Sequence, residues 1–335
     1  MLKKIKLVGS HYEIGLTLGK ILKKEHRYPP KYPQEVLEKS RAYEKQVRIY
    51  APDLLDEFKG IADGLGIDYY IPVTLEASPY RFETTSCLVM AISGEHTKSG
   101  MPVLARNHEW VEKDSKNLRL CYTEPDGKLK SLGFTFHWPL VSRYGGINQA
   151  GLALSSNSAT FENTGPGIML NLATRWILDT CKTTREAVEY LENMPKVWGE
   201  TYIVIDKENN IAKVEAHREK TKVTYSDTGF ASNSLLYDSP EMRQYMSQER
   251  IDDCAEYTSA RKAFLSEWFA QNKGNITDHL IIDALKSHEH KMCYHGLEGL
   301  EICWSYILTI GANNALICAG RPCKNEFVNV HCWNP

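Results

Sequence analysis

Cys87 opens the apolar run Cys87-Leu88-Val89-Met90-Ala91-Ile92, and a polar turn with Gly94 and Gly100 follows. A second apolar run over 101–105 then delivers Arg106 and, three residues later, Glu109. Two β-prone runs around a glycine-containing turn predict a hairpin, which would bring a thiol beside a guanidinium and a carboxylate. A thiol attacks only as thiolate, so it needs a base or a positive charge nearby. If the backbone were cut between Ser86 and Cys87, the new α-amine, titrating near ~8, would serve as that base. Arg106 would lower the thiol pKa, and Glu109 would orient the amine. Thr84, Thr85 and Ser86 could also serve as terminal nucleophiles, but they lie one to three residues out of register. The residues alone leave a second reading open: a buried strand cysteine beside a surface ion pair, since free cysteines often act as small core hydrophobes.

The elements that must hold this hairpin follow from periodicity. Residues 1–86 read as mainly helical. Ser10 and Glu13 make a capping-box pattern for a helix running to about residue 24, ended by Pro29, Pro30 and Pro33. Further helices are predicted over 34–49 and 53–65, then a loose segment containing Pro72 and Pro79. From Cys87 the pattern turns to strands, over 88–92, 103–106, 118–122, 132–136 and 151–155; the last would end in the polar Ser155-Ser156-Asn157. Two helices are expected next, over 170–180 and from Thr183 onward, then a hairpin of 201–205 and 211–216, a strand at 221–225, and Phe230-Ala231-Ser232-Asn233. Helices over 239–272, carrying Arg261, and over 277–287 precede strands at 304–310, 315–319 and 327–330. Long βαβ alternation is absent, so the class is α+β, with two antiparallel sheets and helices on their outer faces.

Composition narrows the function classes. The chain has 335 residues, a formal net charge of -2 and 42% hydrophobic residues, which argues for a full core and against a nucleic-acid protein held by a basic face. The N-terminus lacks the apolar stretch of a signal peptide, and no run approaches the roughly 20 apolar residues of a membrane helix. A soluble cytoplasmic protein with no nucleic-acid or membrane partner is expected; self-association into a homo-oligomer stays open. Nine cysteines without framework spacing predict free thiols. His288, His290, Cys293, His295 and Cys303 are zinc-type ligands, but their spacing matches no two-pair zinc module, so an ordinary loop and no metal are expected. Trp138, Tyr144, Trp176 and Trp198 read mostly as core, with Trp138 and Tyr144 placed in a loop where they could line an acyl pocket.

Cys87 together with Arg106-Asn107-His108-Glu109-Trp110 resembles the acyl-CoA:6-aminopenicillanate acyltransferase (isopenicillin N acyltransferase-like) family of self-processing N-terminal nucleophile hydrolases. The resemblance extends along the chain in order. Gly9-Ser10-His11-Tyr12-Glu13-Ile14-Gly15 and Glu57-Phe58-Lys59-Gly60-Ile61-Ala62-Asp63-Gly64 are similar to the family's propeptide segments. Ile147-Asn148-Gln149-Ala150-Gly151-Leu152, Arg175-Trp176-Ile177-Leu178-Asp179-Thr180-Cys181 and Ala231-Ser232-Asn233 look like its downstream segments, and Cys293-Tyr294-His295 and Gly320-Arg321-Pro322-Cys323 like its C-terminal signatures.

The resemblance implies a four-layer αββα sandwich, with residues 1–86 as a helical N-terminal propeptide segment (alpha subunit) and 87–335 as the catalytic domain (beta subunit). It implies Cys87 as nucleophile and autoprocessing residue, cut from Ser86, with Arg106 and Glu109 flanking it. Asn157 and Asn233 would supply oxyanion-hole or amine-orienting amides, and Arg261 a second cationic group. Glu109 stands where the family usually has Asp, and Ser86 where Gly often precedes the nucleophile. The implied activity is cofactor-free cleavage or transfer at a small-molecule N-acyl amide or acyl thioester. A choloylglycine-type hydrolase of bile salts or penicillin V is the alternative within enzymes, and an unprocessed, non-enzymatic scaffold the alternative outside them.

Overall fold

A computed structural model of the chain describes residues 2–80, 87–111, 118–136, 140–233, 236–293, 295–297 and 300–333. Thr84, Thr85, Ser86 and Trp138 lie outside the described residues. The chain begins with β1 (Lys3–Gly9) and four helices, α1 (His11–Lys24), α2 (Gln34–Tyr50), α3 (Asp53–Leu65) and α4 (Tyr70–Ala77). The hairpin of β2 (Cys87–Ile92) and β3 (Val103–Val111) leads to β4 (Arg119–Pro125), β5 (Ser131–Thr135), β6 (Gly145–Asn148) and β7 (Leu152–Thr160). Helices α5 (Leu170–Thr180) and α6 (Thr184–Asn193) precede β8 (Gly199–Asp206), β9 (Ile211–Ala216), β10 (Thr221–Tyr225) and β11 (Phe230–Asn233). The chain closes with α7 (Pro240–Arg243), α8 (Gln248–Asn272), α9 (Asp278–Lys286), β12 (His295–Leu297), β13 (Leu300–Thr309), β14 (Asn314–Ala319) and β15 (Val328–His331).

Two sheets carry the fold. One has the order β1-β4-β5-β6-β7-β8-β9-β10, the other β11-β2-β3-β13-β14-β15 with β12 beside β13. The β2 run is apolar without alternation because both of its faces are covered. Val89 and Ala91 join Phe134, Ile203, Trp304 and Tyr306 in the core between the sheets. Leu88, Met90 and Ile92 pack instead with Leu265, Trp268, Ile281 and Leu285 of α8 and α9. On the far side, α1, α3, α5 and α6 cover the other sheet through Leu18, Phe58, Ile177 and Leu191, which cluster with Leu154 and Val204. This is the expected four-layer αββα arrangement. Among the described residues, no helix is long and apolar enough to cross a membrane.

Several elements differ from the periodicity reading, each for a local reason. Residues 3–9, given no element, form β1, whose seven residues pair in parallel with β4. The segment with Pro72 is helical (α4), its proline sitting in the first turn where no intrahelical N–H is needed. The stretch 239–272 divides into α7 and α8, because the Ser247 side chain accepts from Arg250 N and starts a new helix. β3 and β7 run further than expected, which puts Glu109 and Asn157 inside strands.

The N-terminal segment is seated by two devices. Helices α1 and α3 cross so closely that a Cβ on Gly15 would lie 2.0 Å from Glu57 O, and one on Gly60 2.2 Å from Tyr12 O. Both obstacles are backbone, so Gly15→Ala or Gly60→Ala should push the helices apart and lower stability by about 1–3 kcal/mol in urea titrations. The second device is a buried charge cluster. Arg175 Nη1 and Nη2 each donate at 3.0 Å to one oxygen of Glu57, and Arg175 Nε donates to Asp179 at 2.9 and 3.0 Å. His11 Nδ1 lies 3.1 Å from Glu57 Oε2. All four side chains are buried. Burial would raise the Glu57 carboxyl, but Arg175 and His11 hold it at about 2. Asp179, which meets only the Nε edge of the guanidinium, is instead pushed up by burial.

Candidate active site

Residue pairing in the hairpin builds the site. Cys87 faces His108 across the β2–β3 ladder, and Val89 faces Arg106. Alternation along β3 therefore sends Arg106 and His108 to the face between the sheets, with Cys87, and Asn107 and Glu109 to the helix side. Arg106 Nη2 donates to Cys87 Sγ at 3.0 Å and to His108 Nδ1 at 2.9 Å. Arg106 Nη1 donates to Tyr144 O at 2.7 Å, to Ser156 O at 2.8 Å and to Ser155 Oγ. The guanidinium thus spans both sheets, with its charge presented to the sulfur.

The Cys87 thiol is 2% exposed, so the sulfur sits under the surface. Burial pushes its pKa above the ordinary value, Arg106 pulls it back in part, and Glu109 adds to the rise. His108 Nδ1 lies 3.6 Å from Sγ. Burial, with Arg106 adding to it, pushes the imidazole well below its ordinary value, so it stays neutral and accepts the guanidinium N–H. Its ring stacks on Trp304, with centroids 3.7 Å apart and planes 5° apart.

Glu109 and Arg261 meet on the helix side. Arg261 Nη2 donates to Glu109 Oε1, and Arg261 Nε donates to Lys291 O at 2.7 Å. The Glu109 carboxylate is not on the sulfur's face; only its carbonyl oxygen approaches Sγ, at 4.0 Å. Glu109 is, however, the next residue of β3 beyond the one opposite Cys87, on the side of the Cys87 amide nitrogen. It is therefore placed beside the start of β2 rather than beside the thiol.

The two asparagines come from different sheets. Asn157 on β7 donates its Nδ2 to Cys87 O at 3.0 Å. Asn233 on β11, opposite Val89, donates its Nδ2 to Thr201 Oγ1, and Thr201 in turn pairs with Asn157 across β7–β8. In both, Oδ1 is buried and has no hydrogen-bond partner among the described residues. As oriented, each amide keeps an open acceptor, Oδ1, suited to a nearby N–H, and a second Nδ2 hydrogen beyond the one it donates.

The structure therefore brings Cys87, Arg106 and Asn157 into direct contact, puts Asn233 on the same face, and holds Glu109 and Arg261 as a pair one layer away. Tyr144 lies 3% exposed in an aromatic cluster with His108, Trp110, Phe136 and Trp304, and its carbonyl holds Arg106. Trp176 is half-buried under Lys128, and Trp198 is buried against Phe161. Ser86 and Trp138 lie outside the described residues.

Sequence reasoning passed over His108 and Ser155. His108 had a signal: it is two residues from Arg106 on a strand, hence on the same face. Ser155, bridged by Tyr306 Oη at 3.0 Å, had none, since its meeting with Arg106 depends on how the sheets stack. Because Arg106 reaches five acceptors through two nitrogens, Arg106→Lys should not substitute for it. A lysine keeps the charge but not the planar fork, and about a 100-fold loss in the rate of any Cys87 chemistry is expected in a time course against wild type.

A family model described as acyl-coenzyme A:6-aminopenicillanic acid acyl-transferase matches residues 96–267, just over half of the chain. That range contains Arg106, Glu109, Asn157, Asn233 and Arg261 and begins after Cys87. Among curated proteins, no sequence matches. Among solved structures, the chain is similar to penicillin V acylase from Agrobacterium tumefaciens, with a TM-score of 0.50 and 15% identity, covering 73% of this chain and 86% of that one. It is also similar to the Caenorhabditis elegans ortholog of N-acylethanolamine-hydrolyzing acid amidase (TM-score 0.49, 14% identity, 68% and 94% covered). A conjugated bile acid hydrolase from Clostridium perfringens matches with a TM-score of 0.49 and 13% identity, covering 73% and 92%.

Proposed function

Because this chain belongs to the acyl-coenzyme A:6-aminopenicillanic acid acyl-transferase family, we propose that it is a self-processing cysteine amidohydrolase or acyltransferase. Its substrates are linear N-acyl amides, and its intermediate is a thioester on Cys87. The observation that carries the reading is the buried Cys87 sulfur at the first position of β2, 3.0 Å from Arg106 Nη2.

In the uncut chain Sγ attacks the carbonyl carbon of residue 86. The S–C bond forms, the C–N bond breaks, and the Cys87 nitrogen keeps the proton that the thiol gives up. Water then hydrolyses the thioester, leaving residues 1–86 with a new carboxylate and residues 87–335 with a free thiol and an α-amine. In turnover that amine takes the thiol proton, and the thiolate attacks the substrate carbonyl. The tetrahedral intermediate collapses, and the leaving amine takes the proton back. Water or an acceptor amine resolves the acyl-enzyme.

The remaining residues divide the work. Arg106 stabilises the thiolate, and the neutral His108 positions Arg106 by accepting its second N–H. The Oδ1 atoms of Asn157 and Asn233, without a partner among the described residues, suit acceptance from the new α-amine. Glu109, with its charge balanced by Arg261, lies on the side where that amine forms. Trp138 and Tyr144 would line the acyl pocket.

The test is a panel of N-acyl amino acids, penicillins and conjugated bile salts assayed by amine release with the cut protein. Release from at least one class is expected, and it should disappear when Cys87 is alkylated. No cutting, no release and no labelling by a thiol-reactive acyl probe would leave the non-enzymatic scaffold as the better reading.

A further inference from the structure

Outside the active site, two tight turns bring thiols and an imidazole together. In the first, Cys293 N donates to Ser287 O at 2.7 Å and Lys291 N to His288 O at 3.1 Å, which folds His288 back toward Cys293 just beyond α9. In the second, beyond β14, Lys324 N and Asn325 N both donate to Arg321 O at 3.0 Å, which turns Cys323 toward the first loop. The ligand atoms of His288, Cys293 and Cys323 all lie within 4.8 Å of one another. Among the described residues, no cysteine is held in a disulfide. A further thiol, Cys318 on β14, is tied to the same second turn, since it donates to Gly320 O and Asn325 O on either side of Cys323.

We propose that His288, Cys293 and Cys323 bind a zinc ion, with Cys318 turning in as the fourth ligand. Tetrahedral zinc with Zn–S near ~2.3 Å and Zn–N near ~2.0 Å needs donors about 3.5–3.8 Å apart, a closure from the spacing seen. Thiolate and imidazole ligands select zinc over the hard cations, and four protein ligands make the site structural rather than catalytic. Cys318 now hydrogen-bonds to Gly320 O at 3.7 Å and Asn325 O at 3.6 Å, weak contacts that a side-chain rotation would give up. Spacing alone does not group these residues, because Cys323 comes from a turn thirty residues further along. Of the other residues of zinc-ligand type, His290 stacks on Phe264 and Cys303 lies in the core between the sheets.

The site bears on the reaction by position. Asn107, between Arg106 and His108, donates to Leu285 O at 2.9 Å and Met292 O at 2.8 Å, and Arg261 Nε donates to Lys291 O. The loop that would supply two zinc ligands is therefore the loop that holds Arg261 against Glu109. Zinc would pin that loop to the β14–β15 turn.

The experiment uses the full chain, made without a histidine tag and kept reduced. Metal content by mass spectrometry should be about one zinc per chain, and cobalt exchange should give a thiolate-to-cobalt charge-transfer band. Cys293→Ser with Cys323→Ser should lower bound zinc to below about a tenth per chain, and Cys318→Ser should weaken binding about tenfold or more. Should the double variant fail to fold, a chelator added to wild type provides the second reading: the melting temperature should fall and recover when zinc is returned. Absence of zinc after incubation with equimolar zinc would overturn the proposal. So would a Cys293–Cys323 disulfide in the reduced preparation, or undiminished zinc in the double variant. Unchanged affinity in Cys318→Ser would overturn its place as fourth ligand. None of these readouts depends on amide cleavage, so they stand or fall separately from the proposed activity.

Discussion

Cys87→Ala should remain a single uncut chain, while wild type separates on denaturing gels and in mass spectra into residues 1–86 and 87–335. Turnover of any amide substrate should fall by about 10⁴-fold or more, because removing a covalent nucleophile removes the pathway and not merely its efficiency. Cutting should also carry a pH signature. Burial holds the Cys87 thiol above its ordinary pKa while the chain is intact. The thiolate fraction, and with it the cutting rate, should therefore climb about tenfold per pH unit through the neutral range instead of levelling off. Once cut, the α-amine supplies a base that the intact chain lacks, so turnover should level off at lower pH than cutting does. A cutting rate independent of pH between 6 and 8 (roughly the range in which an α-amine or histidine titrates) would argue against direct attack by the thiol.

The second large effect is on stability. Arg175→Met leaves Glu57 and Asp179 buried without their shared cation, and a loss of about 3–5 kcal/mol is expected in denaturant titrations. Arg175 lies on α5 and Glu57 on α3, so this variant should also loosen the grip between the two fragments. In wild type, fragments 1–86 and 87–335 should elute together; in Arg175→Met the smaller should be lost on dilution. The acid response follows from Glu57. Its folded pKa of about 2 lies below the ordinary carboxyl value of 4.5. The stabilisation from its charge is thus complete above the unfolded pKa and disappears as pH falls through the folded one. Glu57→Gln should lack that contribution, and its stability should vary less between those two pH values than wild type.

What could be read from sequence was mostly local. The β2–β3 hairpin, and so the nearness of Cys87 and Arg106, follows from two apolar runs and a turn within 25 residues. Helix starts at Ser10 and Thr183 were visible because a capping side chain reaches only three residues ahead. The charge cluster was not, although its four residues fall in three of the segments that resemble the family: nothing local says that Glu57 will meet Arg175, 118 positions away. The parallel pairing of β1 with β4 was hidden for the same reason. Asn157 and Arg261 entered through family resemblance; their contacts with Cys87 O and Glu109 depend on sheet stacking and on how α8 lies across β3. The sides taken by Glu109 and His108 were legible in principle, since strand alternation assigns them once Arg106 is known to face the sulfur.

The seven-residue pairing of β1 has a consequence for how this protein can be handled. β4 is almost wholly buried, and its outer row of N–H and C=O groups is covered by β1, whose own outward residues include Lys3, Lys4 and Lys6. Lysines on an outermost strand discourage another strand from adding to it, whereas an uncovered apolar strand invites one. The first residues of the chain therefore act as a solubility cap on the main sheet, and they belong to the part that the proposed cut would separate covalently. Protein produced directly from Cys87 would carry the proposed nucleophile as its first residue, yet it should self-associate through the bared edge of β4. Light scattering would show this as growth with concentration, relieved when the 1–86 fragment is supplied in trans.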